Sequence, residues 1–111
     1  MLVAFDVALE VINLLRPILK QIERHDSELA KQLKRSASNT AGNLAEGMCR
    51  QAGNKRRAYE IAHGEARETL GWLQIASAWG YTLDDRDVRI ALDRLLRLLY
   101  GLTAERKKSA S

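Results

Sequence analysis

The sequence predicts an all-α fold: an up-down-up-down four-helix bundle in a single domain. Three observations predict it. Apolar residues recur at spacings of three and four in four segments, each set off by turn-forming residues. One proline and seven glycines are too few for a turn-rich β chain. The apolar 46% of the 111 residues is mostly Leu, Ala, Ile and Val, with aromatics at 5%. A chain of this length buries roughly 65% of the surface its unfolded form exposes, enough for one modest core. The bundle is expected over residues 1–103, with 104–111 a flexible basic tail.

The first helix is expected from Val3 to Arg24. Phe5, Leu9, Ile12, Leu15, Leu19 and Ile22 stack on one face, and Val7, Val11, Leu14 and Ile18 form a second stripe beside it. That apolar cover is wider than a surface helix needs. Pro17 removes a hydrogen bond in mid-helix, so a kink is expected there. Asp26 or Ser27 caps the second helix, Glu28 to Arg50. Its apolar set is Leu29, Leu33, Ala37, Leu44 and Met48, interrupted by a run of small and polar residues from Ser36 to Gly47. Glycine costs about 1 kcal/mol in a helix interior, so Gly42 and Gly47 predict a close neighbour, or Gly47 an early stop. Asn54 caps the third helix, Lys55 to Trp79, which buries Tyr59, Ala62, Ala66, Leu70, Leu73 and Ser77 and stops at Gly80. Asp84 caps the fourth, with Asp87 in a capping-box position. Val88, Leu92, Leu95, Leu99 and Leu102 form its seam, while Ile90, Leu96 and Leu98 fall outside it. The surplus stripes on the first and fourth helices imply a closed homo-oligomer.

Charge and chemistry-bearing residues narrow the function. The net charge is +4. Basic residues cluster as Lys31, Lys34 and Arg35, as Arg50, Lys55, Arg56 and Arg57, and in the tail Arg106-Lys107-Lys108. Clusters of this kind suit an anionic partner or, blandly, solvated helix faces. The single cysteine, Cys49, cannot form an intrachain disulfide and is expected to be a buried, inert thiol. No apolar run is long enough for a membrane span, and the first residues lack the basic start of a signal peptide. An unprocessed cytoplasmic protein is expected.

Enzymatic readings find little support. A di-iron bundle needs two Glu-x-x-His motifs, and only Glu60-Ile61-Ala62-His63 is present. Gly42 and Gly47 lack the Lys-Ser/Thr of a phosphate loop, and Ser36 and Ser38 have no triad partners. A non-enzyme without metal or cofactor is expected. Asn39, Asn43, Glu46 and Arg50 recur at four, three and four and so share one helix face, with Glu68 placed to approach it. That stripe reads as a polar network fixing register or subunit contacts, or as a binding face.

The run Gln32-Leu33-Lys34-Arg35-Ser36-Ala37-Ser38-Asn39-Thr40-Ala41-Gly42-Asn43-Leu44-Ala45-Glu46-Gly47 resembles the signature of the four-helix-bundle proteins encoded in 23S rRNA intervening sequences. There a Gln-Leu-Arg-Arg-Ala-like start leads into Asn-Ile-Ala-Glu-Gly, and Arg50 stands at the family's following basic position. Ala62-His63-Gly64-Glu65-Ala66-Arg67-Glu68 is similar to the family's Ala-x-Gly-Ser-x-x-Glu, with Glu65 in place of serine, and Gly80-Tyr81 matches its Gly-Tyr. The resemblance implies a ring-shaped homopentamer. It also implies kinship with the accessory proteins of diversity-generating retroelements, basic pentamers whose partners are nucleic acid and a reverse transcriptase.

Two functions follow. The first is a non-enzymatic, oligomeric RNA- or DNA-binding accessory protein with sequence-independent phosphate contacts. Its contacts are expected at Arg50, Lys55, Arg56 and Arg57, then at Lys31, Lys34, Arg35, Arg86 and Arg89, with Asn39, Asn43, Glu46, Gly47 and Glu68 as a structural polar motif. Trp72, Trp79 and Tyr81 are expected to pack in the core rather than stack on bases. The second is a protein-interaction scaffold whose basic groups only meet solvent.

Overall fold

The computed structural model describes residues 2–82 and 84–110, with side chains as far as Ala104. Among these residues there are four helices and no strand: α1 (Val3–Glu23), α2 (Ser27–Met48), α3 (Ala52–Ala78) and α4 (Arg86–Ala110). α1 packs on α2 and α4, and α3 packs on the same two. Contact register gives the directions. Arg35 and Ser36 of α2 meet Glu68 and Thr69 of α3, while Gly47 lies against Tyr59. Partners descend in α3 as positions ascend in α2, so the two run antiparallel. The same holds for α1 and α4, where residues 2–4 share a groove with 97–102, and Glu10 and Leu14 share another with Asp87 to Arg94. The up-and-down rod measures 46 × 22 × 19 Å.

The core seam of α1 is Ala4, Ala8, Val11, Leu15, Ile18 and Ile22, with Val7 beside it. It draws on both of the stripes expected from sequence and adds two alanines that neither contained. Phe5, Ile12 and Leu19 are only half-buried, and Leu9 is 41% exposed. α1 remains helical through Pro17. The carbonyl that Pro17 leaves without a donor belongs to exposed Asn13, where water can serve it.

Asp26 caps α2, its carboxylate accepting from the Leu29 N–H at 3.0 Å. The buried face of α2 is rich in small residues: Ala30, Ser36, Ala37, Thr40, Ala41 and Gly47 alternate with Leu29, Leu33 and Leu44. Two buried hydroxyls are satisfied inside the helix, Ser36 donating to the Leu33 carbonyl and Thr40 to the Ser36 carbonyl. The Thr69 hydroxyl lies 2.9 Å from Ser36 Oγ and 2.8 Å from the Glu65 carbonyl, so a polar bridge crosses the dry seam between α2 and α3.

α3 starts before the expected Asn54 cap. Gln51 stands at the cap position, and Ala52 enters the helix with φ 47°, a left-handed turn unusual for a residue with a Cβ. Ser77, expected in the core, is exposed; Thr69 and Ala76 take the buried positions. Gly80 at φ 78° closes α3, with its N–H donating to Ser77 and that of Tyr81 to Ala76. α4 begins at Arg86, where Asp84 accepts the backbone N–H, and runs to Ala110, beyond the Leu102 end expected. The side chains of the basic tail after Glu105 lie outside the described residues.

Candidate nucleic-acid interface

The α2–α3 turn, residues 49–51, lies at the same end of the rod as the start of α1. Beside it the two helices leave an open groove of about 540 Å³. α2 contributes Asn39, Gly42, Asn43, Glu46 and, just past its end, Arg50. α3 contributes Asn54, Arg57, Ala58 and Ile61. Antiparallel register pairs these residues across the groove: Asn43 with Ile61, Glu46 with Ala58, Arg50 with Asn54.

Within the groove, Arg50 donates to Glu46 Oε1 through both Nε and Nη2. That hydrogen bond, and then the carboxylate's charge, hold the guanidinium above its ordinary pKa. Asn43 Nδ2 donates to the Asn39 carbonyl at 2.8 Å. Arg57 is exposed and has no acidic partner among the described residues, and neither does half-buried Lys55. Arg56 instead donates to Glu60 at 2.8 Å. The groove therefore carries one paired and one unpaired guanidinium, with Lys55 at its margin.

The remaining cations lie elsewhere. Lys31 and Lys34 line a separate shallow groove against Leu19 and Glu23 of α1. Arg35 is held by Glu68 at 2.6 Å, by Glu65 at 4.0 Å and by the Gln32 amide at 3.1 Å. Two carboxylates more than cancel its charge. Arg86 and Arg89 lie at the opposite end of the rod, and Arg89 is bound to Asp85. Glu68 does not join the Asn39–Arg50 stripe: its carboxylate accepts from Arg35 and from the Trp72 indole N–H at 3.1 Å.

Other expectations need correction too. Cys49 is exposed at the end of α2 rather than buried. Trp79 is 68% exposed and stacks on Tyr81, which stacks in turn on His25 at 5.1 Å. The stack ties the α1–α2 turn to the α3–α4 turn. Sequence reasoning missed Asn54, Ala58 and Ile61 as groove residues. The signal was available, since mirroring α3 onto α2 about their turn places each one opposite a member of the stripe. Among the described residues, no three His, Cys, Asp or Glu side chains gather as metal ligands would, and no helix is long and apolar enough to cross a membrane.

The comparisons with known proteins now have a geometry to meet. The sequence profile of the 23S rRNA-intervening sequence proteins matches residues 2–101. The chain belongs to that family. A crystal structure of a protein with unknown function from the S23 ribosomal protein family of Bacteroides thetaiotaomicron superposes with a TM-score of 0.78. At 22% identity, over 90% of this chain and 97% of that one, the likeness establishes the fold. No curated protein matches the chain. In this intervening-sequence protein, Asn43-Leu44-Ala45-Glu46-Gly47 serves two surfaces at once. Leu44 and Gly47 face the core, where a Cβ on Gly47 would overlap the Tyr59 ring, while Asn43 and Glu46 line the groove.

Proposed function

We propose that this protein is a non-enzymatic, oligomeric accessory protein that binds RNA or DNA through its phosphates. The observation that carries the reading is the open groove bearing Arg50 and Arg57. Basic groups without acidic partners gain by displacing counterions from a polyanion, and copies in a ring add their weak contacts. The family's name, which refers to sequences within 23S rRNA, is consistent with an RNA setting.

Self-association is supported by apolar surface left open on α1 and α4. Ile90 is 63% exposed and Tyr100 66% on α4, and Leu9 is 41% exposed on α1. The assembly we propose is a ring-shaped homopentamer, and a reverse transcriptase is the protein partner suggested by kinship with retroelement accessory proteins. A competing reading, the protein-interaction scaffold, draws on the intrachain ion pairs that already occupy Arg35, Arg50, Arg56 and Arg89.

The test is a gel-shift titration with structured RNA and duplex DNA across a salt series. Binding is expected at low salt, with the logarithm of the affinity falling linearly in log salt. Arg57→Ala should weaken binding to every sequence alike and lower the salt slope by about one for each subunit in contact with the strand. Absence of binding at low salt overturns the proposal, and a protein partner retained after nuclease treatment would then favour the scaffold.

A further inference from the structure

A phosphate seat needs cations, yet this groove is furnished mostly with neutral hydrogen-bonding groups and one carboxylate. The side-chain amides of Asn39 and Asn54 make no hydrogen bond within the described chain, and Asn43 Oδ1 is equally unused. Glu46 receives Arg50 on Oε1 alone, which leaves Oε2 open. A carboxylate in mid-groove repels phosphate, so a phosphate belongs at Arg57 and something neutral belongs against Glu46.

The Glu46–Arg50 pair presents an open acceptor, Oε2, then Oε1, which is shared with Arg50, and then the guanidinium donors. That order complements one Watson–Crick edge among the four bases. Guanine presents two adjacent donors, N2–H and N1–H, and then the O6 acceptor. Adenine and cytosine each offer a single donor group there, and uracil places its donor between two acceptors. Unpaired bases are the ones that can turn such an edge toward a protein. The walls fit a planar ring. Ala58 and Ile61 line one side, and on the other a Cβ at Gly42 would meet nothing within 4 Å. About 540 Å³ lies within the range of small-molecule sites.

We infer that the groove seats one unpaired guanosine nucleotide, its Watson–Crick edge on Glu46 and Arg50 and its phosphate on Arg57. The inference rests on the nucleic-acid reading above and adds a base preference to it.

The experiment is fluorescence anisotropy with a labelled short oligouridine, the same strand carrying one central guanosine, and a third with inosine there. Guanosine should bind about tenfold tighter than uridine. Inosine, which lacks the exocyclic amine, should fall between them. Glu46→Gln should erase the preference while keeping residual binding to all three strands, with a salt slope no smaller than before, because Arg50 loses its acidic partner. Gly42→Leu, at a position open to solvent, should fill the groove with helicity intact by circular dichroism and erase the preference as well. Guanosine monophosphate as competitor separates the sources: competition at the strand's own affinity assigns the site to free nucleotide, and weak competition assigns it to a strand. Equal binding of the three strands overturns the guanosine inference and leaves phosphate binding standing, as does a preference that survives both substitutions. Failure of every strand and of the mononucleotide overturns both.

Discussion

The two halves of the bundle are built from different materials. Between α2 and α3 the buried face is rich in Ala, Ser, Thr and Gly set among Leu33, Leu44, Tyr59 and Leu73, crossed by the Ser36–Thr69 hydroxyl bridge and flanked by Arg35 on Glu68. On α1 and α4 it is mostly Val, Leu and Ile, with Ala4, Ala8 and Ala91 among them. Small residues bring backbones close and fix register through specific polar contacts. Large aliphatic side chains bury more area and accept more than one neighbour, and they leave surplus apolar surface outside. The first half therefore forms the site with definite geometry, and the second supplies adhesive surface.

Four variants test that contrast. Leu95→Ala, on the aliphatic side and fully buried, should cost about 2–5 kcal/mol in urea unfolding. Gly47→Ala adds one methyl group to the tight side, against the Tyr59 ring, and should cost about 1–3 kcal/mol in the same assay. A loss near zero would mean that the seam yields as easily as the aliphatic one. Thr69→Val keeps the shape and removes the bridge to Ser36, for a loss of about 1 kcal/mol read by thermal unfolding. Ile90→Glu with Tyr100→Glu should change the stability of the folded chain by less than about 0.5 kcal/mol. The same pair should lower the sedimentation coefficient sharply, and an unchanged coefficient would remove the adhesive role from this face.

The helices were legible because their apolar spacing and their caps agree. Asp26 and Gly80 act as their positions foretold. α1 was harder to read. Periodicity finds a core face only where the opposite face is polar, and two adjoining aliphatic stripes gave no such contrast. The result is a seam that mixes them, with Leu9 left outward. The start of α3 was hidden by Asn54, a favourable cap residue that the left-handed turn at Ala52 makes unnecessary. The stripe Asn39, Asn43, Glu46 and Arg50 was legible as one face, since it needs only helical spacing. Its partners on α3 were legible only through the register, by mirroring that helix onto α2 about the turn at residues 49–51. Glu68 shows the cost of guessing that register: the side chain is committed to Arg35 and Trp72 instead.

The ring stack of His25, Tyr81 and Trp79 binds two connecting turns together at one end of the rod. The other end has a single connection, and the start of α1 and the end of α4 lie there, at the end of the rod that carries the groove. A purification tag or fusion partner joined beyond either helix would sit at the same end as Arg50 and Arg57 and could compete with a ligand. Binding measurements on this protein therefore call for tag removal, or for a label placed near Thr82, at the far tip.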